Sequence, residues 1–167
     1  MITTERLLIE PLSNADADFL VNLLNQPSFI ENIADKGVRD RAGACSYLRD
    51  GPLASYRQHG FGLWKVSLRE SHQPIGMAGL LKRDYLPLAD IGYALLPEYT
   101  GQGYAYEANR AVLEWARQHQ HREVLAICNP DNRASAGLLY KLGFSDDGDV
   151  VPPGETQAIK RYRIVLN

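Results

Sequence analysis

Apolar positions along this chain recur with two different periods, and the change falls near Gly60. Residues 6–12 (RLLIEPL) form an opening strand, closed by Pro11 and the polar pair Ser13–Asn14. After it the spacing is helical: Phe19, Leu20, Leu23 and Leu24 share a face, with Asn14 or Asp16 as the expected cap and Pro27 as the end. Residues 28–39 read as a loop or short helical turn stopped by Gly37. Asp40 caps a second helix through Ala44, Tyr47 and Leu48; Gly51–Pro52 interrupts it, and a further helical piece runs to Gln58.

Beyond Gly60 the alternation is that of strands. Residues 61–68 and 75–82 make a hairpin around the Ser71-to-Pro74 turn, with Gly76 and Gly79 weakening the second strand or marking a bulge. Residues 91–96 form another strand, ended by Pro97, which has no ladder donor. A turn with Gly101 and Gly103 leads into a helix that lines up Ala105, Ala108, Val112, Trp115 and Ala116. Residues 124–127 (VLAI) suit a parallel strand beside 91–96, a connection that is right-handed in nearly all sheets. A helix over 133–142 follows, capped by Asp131 or Asn132 and stopped by Gly143. Phe144 opens a strand, Pro152–Pro153–Gly154 turns, and residues 159–166 complete the sheet. The pattern is mixed α/β in one domain, residues 1–167, without repeats or low-complexity tails.

Composition narrows the class. At 167 residues, 45% hydrophobic and 23% charged, the chain can bury a real core and is not disordered. A net charge of −2 gives no general attraction to nucleic acid or anionic membrane, and no apolar run approaches a membrane span. Cys45 and Cys128 are isolated, and the N-terminus (MITTERLLIE) has no signal-peptide pattern, so a reducing cytoplasm is expected.

Candidate chemistry concentrates in residues 92–107 (GYALLPEYTGQGYAYE). A strand passing through a glycine turn into a helix cradles anions, because backbone N–H groups and the positive end of the helix dipole converge there. No Gly-Lys-Ser/Thr ending makes it a Walker A loop, and Tyr106 stands where the dinucleotide fingerprint needs its third glycine. An acetyl-coenzyme A turn remains, alongside a plain helix cap.

With residues 129–144 (NPDNRASAGLLYKLGF), the sequence resembles the GNAT N-acetyltransferases, in the branch of ribosomal-protein N-terminal acetyltransferases (RimJ/RimL-like). The resemblance runs through Thr4, Arg6 and Leu7; Ile91, Gly92 and Tyr93; Pro97 and Tyr99; Gly101, Gly103, Tyr104 and Ala105; Glu107 and Ala108; Asn132 and Ser135; and Lys141 to Phe144. It implies a mixed, mostly antiparallel twisted sheet flanked by helices. The fourth and fifth strands, here 91–96 and 124–127, splay to admit acetyl-CoA as co-substrate, and no metal is used.

The same resemblance implies that backbone groups of Ala94, Leu95 and Leu96 hold the pantetheine arm and that Gly101, Gln102, Gly103, Tyr104 and Ala105 take the pyrophosphate. Asn132 and Ser135 would contact the cofactor; helix capping is the alternative. Thr100 departs from the branch, where a tryptophan or basic residue is common, and Glu10 replaces a usual arginine.

The implied reaction is direct attack of an amine on the thioester. A backbone N–H near Leu95 is the oxyanion donor if the sheet leaves it free. Asp90 is the favoured base, with a solvated aspartate as its plain alternative, and Tyr93 is the second base candidate. A tyrosine acid seven residues after Asn132 would fall at Leu139, so Tyr140 does not inherit that role. Glu107 and the four histidines receive no catalytic part. The acceptor is a primary amine such as a protein N-terminal α-amine. A small amine (polyamine, amino acid or drug) and a non-catalytic acyl-CoA sensor are the alternatives. Relatives of the branch are monomers or homodimers.

Overall fold

A computed structural model describes residues 1–167. Eight strands form one sheet in the order β1-β2-β3-β4-β5-β6-β8-β7. The strands are β1 (Ile2–Thr3), β2 (Leu7–Glu10), β3 (Leu63–Leu68), β4 (Pro74–Leu81), β5 (Asp90–Leu95), β6 (Glu123–Cys128), β7 (Ser145–Val150) and β8 (Ile159–Val165). The helices are α1 (Ala17–Leu24), α2 (Pro27–Asn32), α3 (Arg41–Asp50), α4 (Pro52–His59), α5 (Tyr104–Gln118) and α6 (Arg133–Leu142). All pairings are antiparallel except β5 with β6. No helix is long and apolar enough to cross a membrane.

Strand alternation sends side chains to two cores. Leu7, Ile9, Trp64, Val66, Ile91 and, from α5, Ala108, Val112, Leu113 and Ala116 belong to the larger one. On the other face Leu20, Leu23, Leu24, Phe29, Ala44 and Leu48 pack with Met77 and Leu96, and Ala94 borders them. The expected hairpin bulge is present: Val66 pairs with Gly76 but Ser67 with Pro74, leaving Ile75 as the extra residue. A Cβ on Gly76 would stand 2.2 Å from the Ala94 carbonyl oxygen, so glycine lets β4 press closely on the end of β5.

Local details differ from expectation where a partner residue decides them. Pro27 opens α2 at its first turn as well as following α1, since an N-terminal proline sacrifices no helical hydrogen bond. Asp16 stands at the α1 N-cap position without a side-chain capping bond there; Ser13 caps the preceding 3-10 turn (Asn14–Asp16), its hydroxyl accepting from Ala15 N–H while Asp16 accepts from Ser13 N–H. Asp16 is also the ion-pair partner of Lys65 at 2.9 Å. Glu10 lies directly opposite Lys65 in the β2–β3 ladder, 3.7 Å away, which accounts for an acid in the opening strand. The two-residue β1 was too short to show a period.

Candidate functional site

The site grows from the divergence of β5 and β6. Their pairing is confined to Asp90 opposite Leu125, with Leu125 N–H donating to Ala89 C=O. Beyond that point the strands part. Leu96 N–H donates to Ile75 C=O on β4. Backbone groups alternate sides along a strand, so Tyr93 and Leu95 turn their N–H and C=O groups toward the gap. Of the three backbone positions assigned to the pantetheine arm, Leu95 therefore has its polar groups free. Ala94 and Leu96 direct theirs to β4, because β4 is their hydrogen-bonding neighbour.

At the mouth of the gap, the chain passes a short 3-10 turn (Pro97–Tyr99) and enters α5 through Gly101 and Gly103, whose φ angles are +74° and +84°. No side chain caps α5, so the N–H groups of its first turn point outward without protein acceptors. The loop is tied down locally. Thr100 Oγ1 donates to Pro97 C=O at 2.7 Å, and Gln102 Nε2 donates to Glu98 C=O at 3.0 Å. Thr100 thus spends its hydroxyl inside the turn, leaving backbone amides and the helix dipole to receive an anion.

A second layer holds the turn from the opening strand. Arg6 donates through Nη1 to Gln102 C=O at 3.0 Å and through Nε to Glu107 at 2.7 Å, and its guanidinium covers the Tyr104 ring. Thr4 Oγ1 and Arg6 N–H both donate to Glu107 Oε2. Burial works to raise the Glu107 pKa, but these hydrogen bonds outweigh it and hold the carboxyl below its usual value. Glu107 is thus a positioning residue, and motif elements about a hundred residues apart form one network. Glu107→Gln is expected to cost about 1–2 kcal/mol, because charge-assisted bonds are lost at a partly exposed pair. It should also shrink the rise in unfolding temperature produced by acetyl-CoA. An undiminished rise, read by calorimetry, would separate this network from the turn.

On the facing wall, Asn132 caps α6 by accepting from Ser135 N–H at 3.2 Å, so the capping alternative holds for its side-chain oxygen. The Ser135 hydroxyl meets the Tyr93 hydroxyl at 2.7 Å and thereby joins α6 to β5. Burial raises the Tyr93 pKa, which keeps the phenol protonated and makes it a hydrogen-bond donor in preference to a base. Cys128, at the end of β6, donates to Asn129 C=O, and burial raises its thiol pKa. Leu139 is buried, whereas Tyr140 is half exposed, stacks edge-on against Tyr162 and donates to Asp146.

Asp90 sits at the root of the gap and is fully buried. Its Oδ2 accepts from Arg83 Nε at 3.1 Å, while Oδ1 has no hydrogen-bond partner. Burial raises its pKa to about 6, against the opposing charge and hydrogen bond of Arg83. The plain alternative of a solvated aspartate does not describe this side chain. Arg83 escaped notice in the sequence because the loop after β4 carries no motif; a charged residue seven positions before an acid has no local meaning. No group of three or more His, Cys, Asp or Glu side chains is placed to hold a metal ion. His119 instead stacks on Trp115 at 3.9 Å between ring centres.

Comparison with known proteins fits this geometry. A family model described as the acetyltransferase (GNAT) domain matches residues 6–145. An uncharacterized N-acetyltransferase of Bacillus subtilis, YnaD, is 27% identical over 170 residues, covering 99% of this chain and 96% of that protein. The ribosomal protein uS5-alanine N-acetyltransferase of Escherichia coli is 26% identical over 160 residues, covering 88% and 79%. Among solved structures, an acetyltransferase from Agrobacterium tumefaciens superposes with a TM-score of 0.81 at 25% identity, over 98% of this chain and 92% of that one. RimL, a ribosomal L7/L12 alpha-N-protein acetyltransferase in complex with coenzyme A, has the same fold, with a TM-score of 0.80 at 17% identity over 98% and 96%. The chain belongs to the GNAT family and is an acetyl-CoA-dependent N-acetyltransferase.

Proposed function

We propose that this enzyme transfers the acetyl group to a primary amine, with a protein N-terminal α-amine as acceptor, by direct attack on the thioester. The observation that carries this reading is the gap between β5 and β6, bordered by the Leu95 N–H and opening onto the uncapped start of α5. The fit to acetyl-CoA rests on the same features: diverged strands to take an extended arm, and a glycine turn with free amides to take two phosphates. Gly101, Gln102, Gly103, Tyr104 and Ala105 hold the pyrophosphate, Leu95 pairs with the arm, and Ser135 contacts it from α6. Bound there, acetyl-CoA supplies an activated carbonyl and a good leaving group.

The residues divide the remaining work. Asp90, ionised above pH about 6, accepts the ammonium proton through one water that its free Oδ1 can hold. The Leu95 N–H donates to the oxyanion that develops on the thioester oxygen. The Tyr93 and Ser135 hydroxyl pair faces the departing thiolate as a donor. A thiol pKa near ~8.5 makes strong acid assistance unnecessary.

Incubation with acetyl-CoA and a library of peptides and small amines, followed by product mass measurement, tests the reading. An increment of one acetyl group on a peptide α-amine is the expected result. Acetylation confined to small amines would move the acceptor to that class, and acetyl-CoA binding without any product would make the chain a sensor.

A further inference from the structure

Arg83 lies in the connection between β4 and β5, which is tied down by its own residues. The Lys82 ammonium donates to the carbonyls of Arg83 and Leu86 at 3.1 and 2.8 Å, and Leu86 N–H donates to Arg83 C=O at 3.2 Å. Leu86 and Ala89 are buried and root the connection in the fold. The Arg83 backbone is thereby fixed, and its Nε meets Asp90 Oδ2 at 3.1 Å. Arg83 is the only ion-pair partner of Asp90. Lys82 adds a weaker pull of the same sign, and the residues paired with Asp90 in the sheet, Leu81 on β4 and Leu125 on β6, are apolar.

Such a pair can be a plain anchor for the connection or the source of the carboxyl's charge. A buried carboxylate is ordinarily steadied by several donors, and without an opposite charge it takes up a proton. Asp90 has no exposure and its Oδ1 finds no donor in the protein, so one guanidinium bond stands against the cost of burial. The bond also makes the two oxygens unequal: Oδ2 is directed at Arg83, while Oδ1 keeps its lone pairs. The Arg83 side chain itself is 37% exposed, so its charge can be removed without opening a cavity.

We infer that Arg83 is a positioning residue for acetyl transfer: it pins Oδ2, leaves Oδ1 as the oxygen that takes the proton, and supplies the charge that keeps the carboxyl ionised at neutral pH. This rests on the reading of Asp90 as the base and adds the residue that sets the base's working range. Arg83 acts through Asp90 and not on the reacting atoms.

Two substitutions separate charge from anchorage. Arg83→Gln keeps a hydrogen-bond donor and removes the charge, whereas Arg83→Lys keeps the charge. Carboxyl-carbon NMR of the aspartate-labelled full chain follows the titration directly, with the Asp90 signal identified by its loss in Asp90→Asn. In catalysis it is followed by kcat with acetyl-CoA and the fastest acceptor of the amine library, at saturation so that the free amine does not contribute. In the wild type both should turn at pH about 6. In Arg83→Gln both should move up by about 1–3 pH units, the effect of one opposite charge at close range. Arg83→Lys should bring both back toward the wild-type position. An Asp90 titration unmoved in Arg83→Gln, even with lowered stability, marks Arg83 as a plain anchor and overturns the inference while leaving Asp90 free to serve as base. If Arg83→Lys behaves like Arg83→Gln, charge is not what Arg83 supplies, and the inference likewise falls. An Asp90 titration that moves without the kcat limb overturns the base reading and this inference with it, and absence of turnover with every amine has the same consequence.

Discussion

Asp90→Asn is expected to lower kcat by about 10²- to 10⁴-fold while acetyl-CoA affinity stays nearly unchanged. Asparagine is close in shape, and its side-chain oxygen can still accept from Arg83 Nε, so the loop after β4 keeps its anchor. What disappears is the ability to take a proton. In the wild-type enzyme the carboxyl is raised to about 6 because burial penalises its charged form more than Arg83 favours it. The working base is the ionised form, so kcat/KM should climb as pH rises through about 6 and then level. An α-amine titrates near ~7.7–8.0 and gives a separate limb at higher pH. The lower limb should vanish in Asp90→Asn. If it persists, or if kcat falls less than about ten-fold, another group takes the proton or none is needed.

The same group leaves a mark on stability. A native pKa above the ordinary carboxylate value means that the folded state binds more protons than the unfolded state between pH about 4 and 6. The Asp90 contribution is therefore fully present below that window and is lost as pH rises through it. Asp90→Asn should flatten this part of the pH–stability curve. The Arg83 guanidinium left behind is 37% exposed and can be met by water, so unfolding of the variant at neutral pH is not expected.

Gly103→Asp is expected to weaken acetyl-CoA binding by at least about 100-fold. Three effects act together. Gly103 has φ +84°, a conformation that costs an L-residue about 1–2 kcal/mol. A Cβ there stands 3.3 Å from Arg6 Nη2, so the guanidinium that steadies Gln102 must give way. The new carboxylate also enters the anion cradle itself. There it is stabilised by the α5 dipole and repels the pyrophosphate, by about 4 kcal/mol per charge pair at 4 Å in a surface-like dielectric. Gly103→Ala separates the causes, since it carries the strain without the charge and should lose much less affinity. Calorimetric titration gives the result directly, and an unfolding scan verifies that the fold survives. Unchanged affinity in Gly103→Asp would place the phosphates somewhere other than this turn.

How much of the site was legible depended on how local its signal was. The glycine turn, the strand before it and the helix after it announce themselves within sixteen residues, because positive φ, a ladder-breaking proline and a helical period are all short-range properties. The order of motifs along the chain then names the family. How the chain enters α1, through a 3-10 turn capped by Ser13 with Asp16 at the helix N-cap, was not decidable that way. Three polar residues fall within four positions, and the fold uses two of them together: Ser13 caps the 3-10 turn, and Asp16 accepts from Ser13 N–H with one oxygen and meets Lys65 with the other. Thr4 and Arg6 were visible as motif residues and Glu107 as an acid at a helix start, yet nothing in their spacing says that they touch.

The amino-acid sequence by itself determined the run of strands and helices, the parallel return of β6 beside β5, the glycine turn before α5 and the family, since each is written in periods, breakers and motif order. Tertiary structure alone decided three further matters. It showed which backbone groups β4 leaves unclaimed, and that the Arg6–Glu107 pair steadies the turn. It also turned Asp90 from the favoured base at a strand start into a fully buried carboxyl paired with Arg83. The physical reason is common to all three: desolvation, ion pairing and unused hydrogen-bonding capacity are properties of neighbours in space, and here those neighbours lie between seven and about a hundred residues apart along the chain.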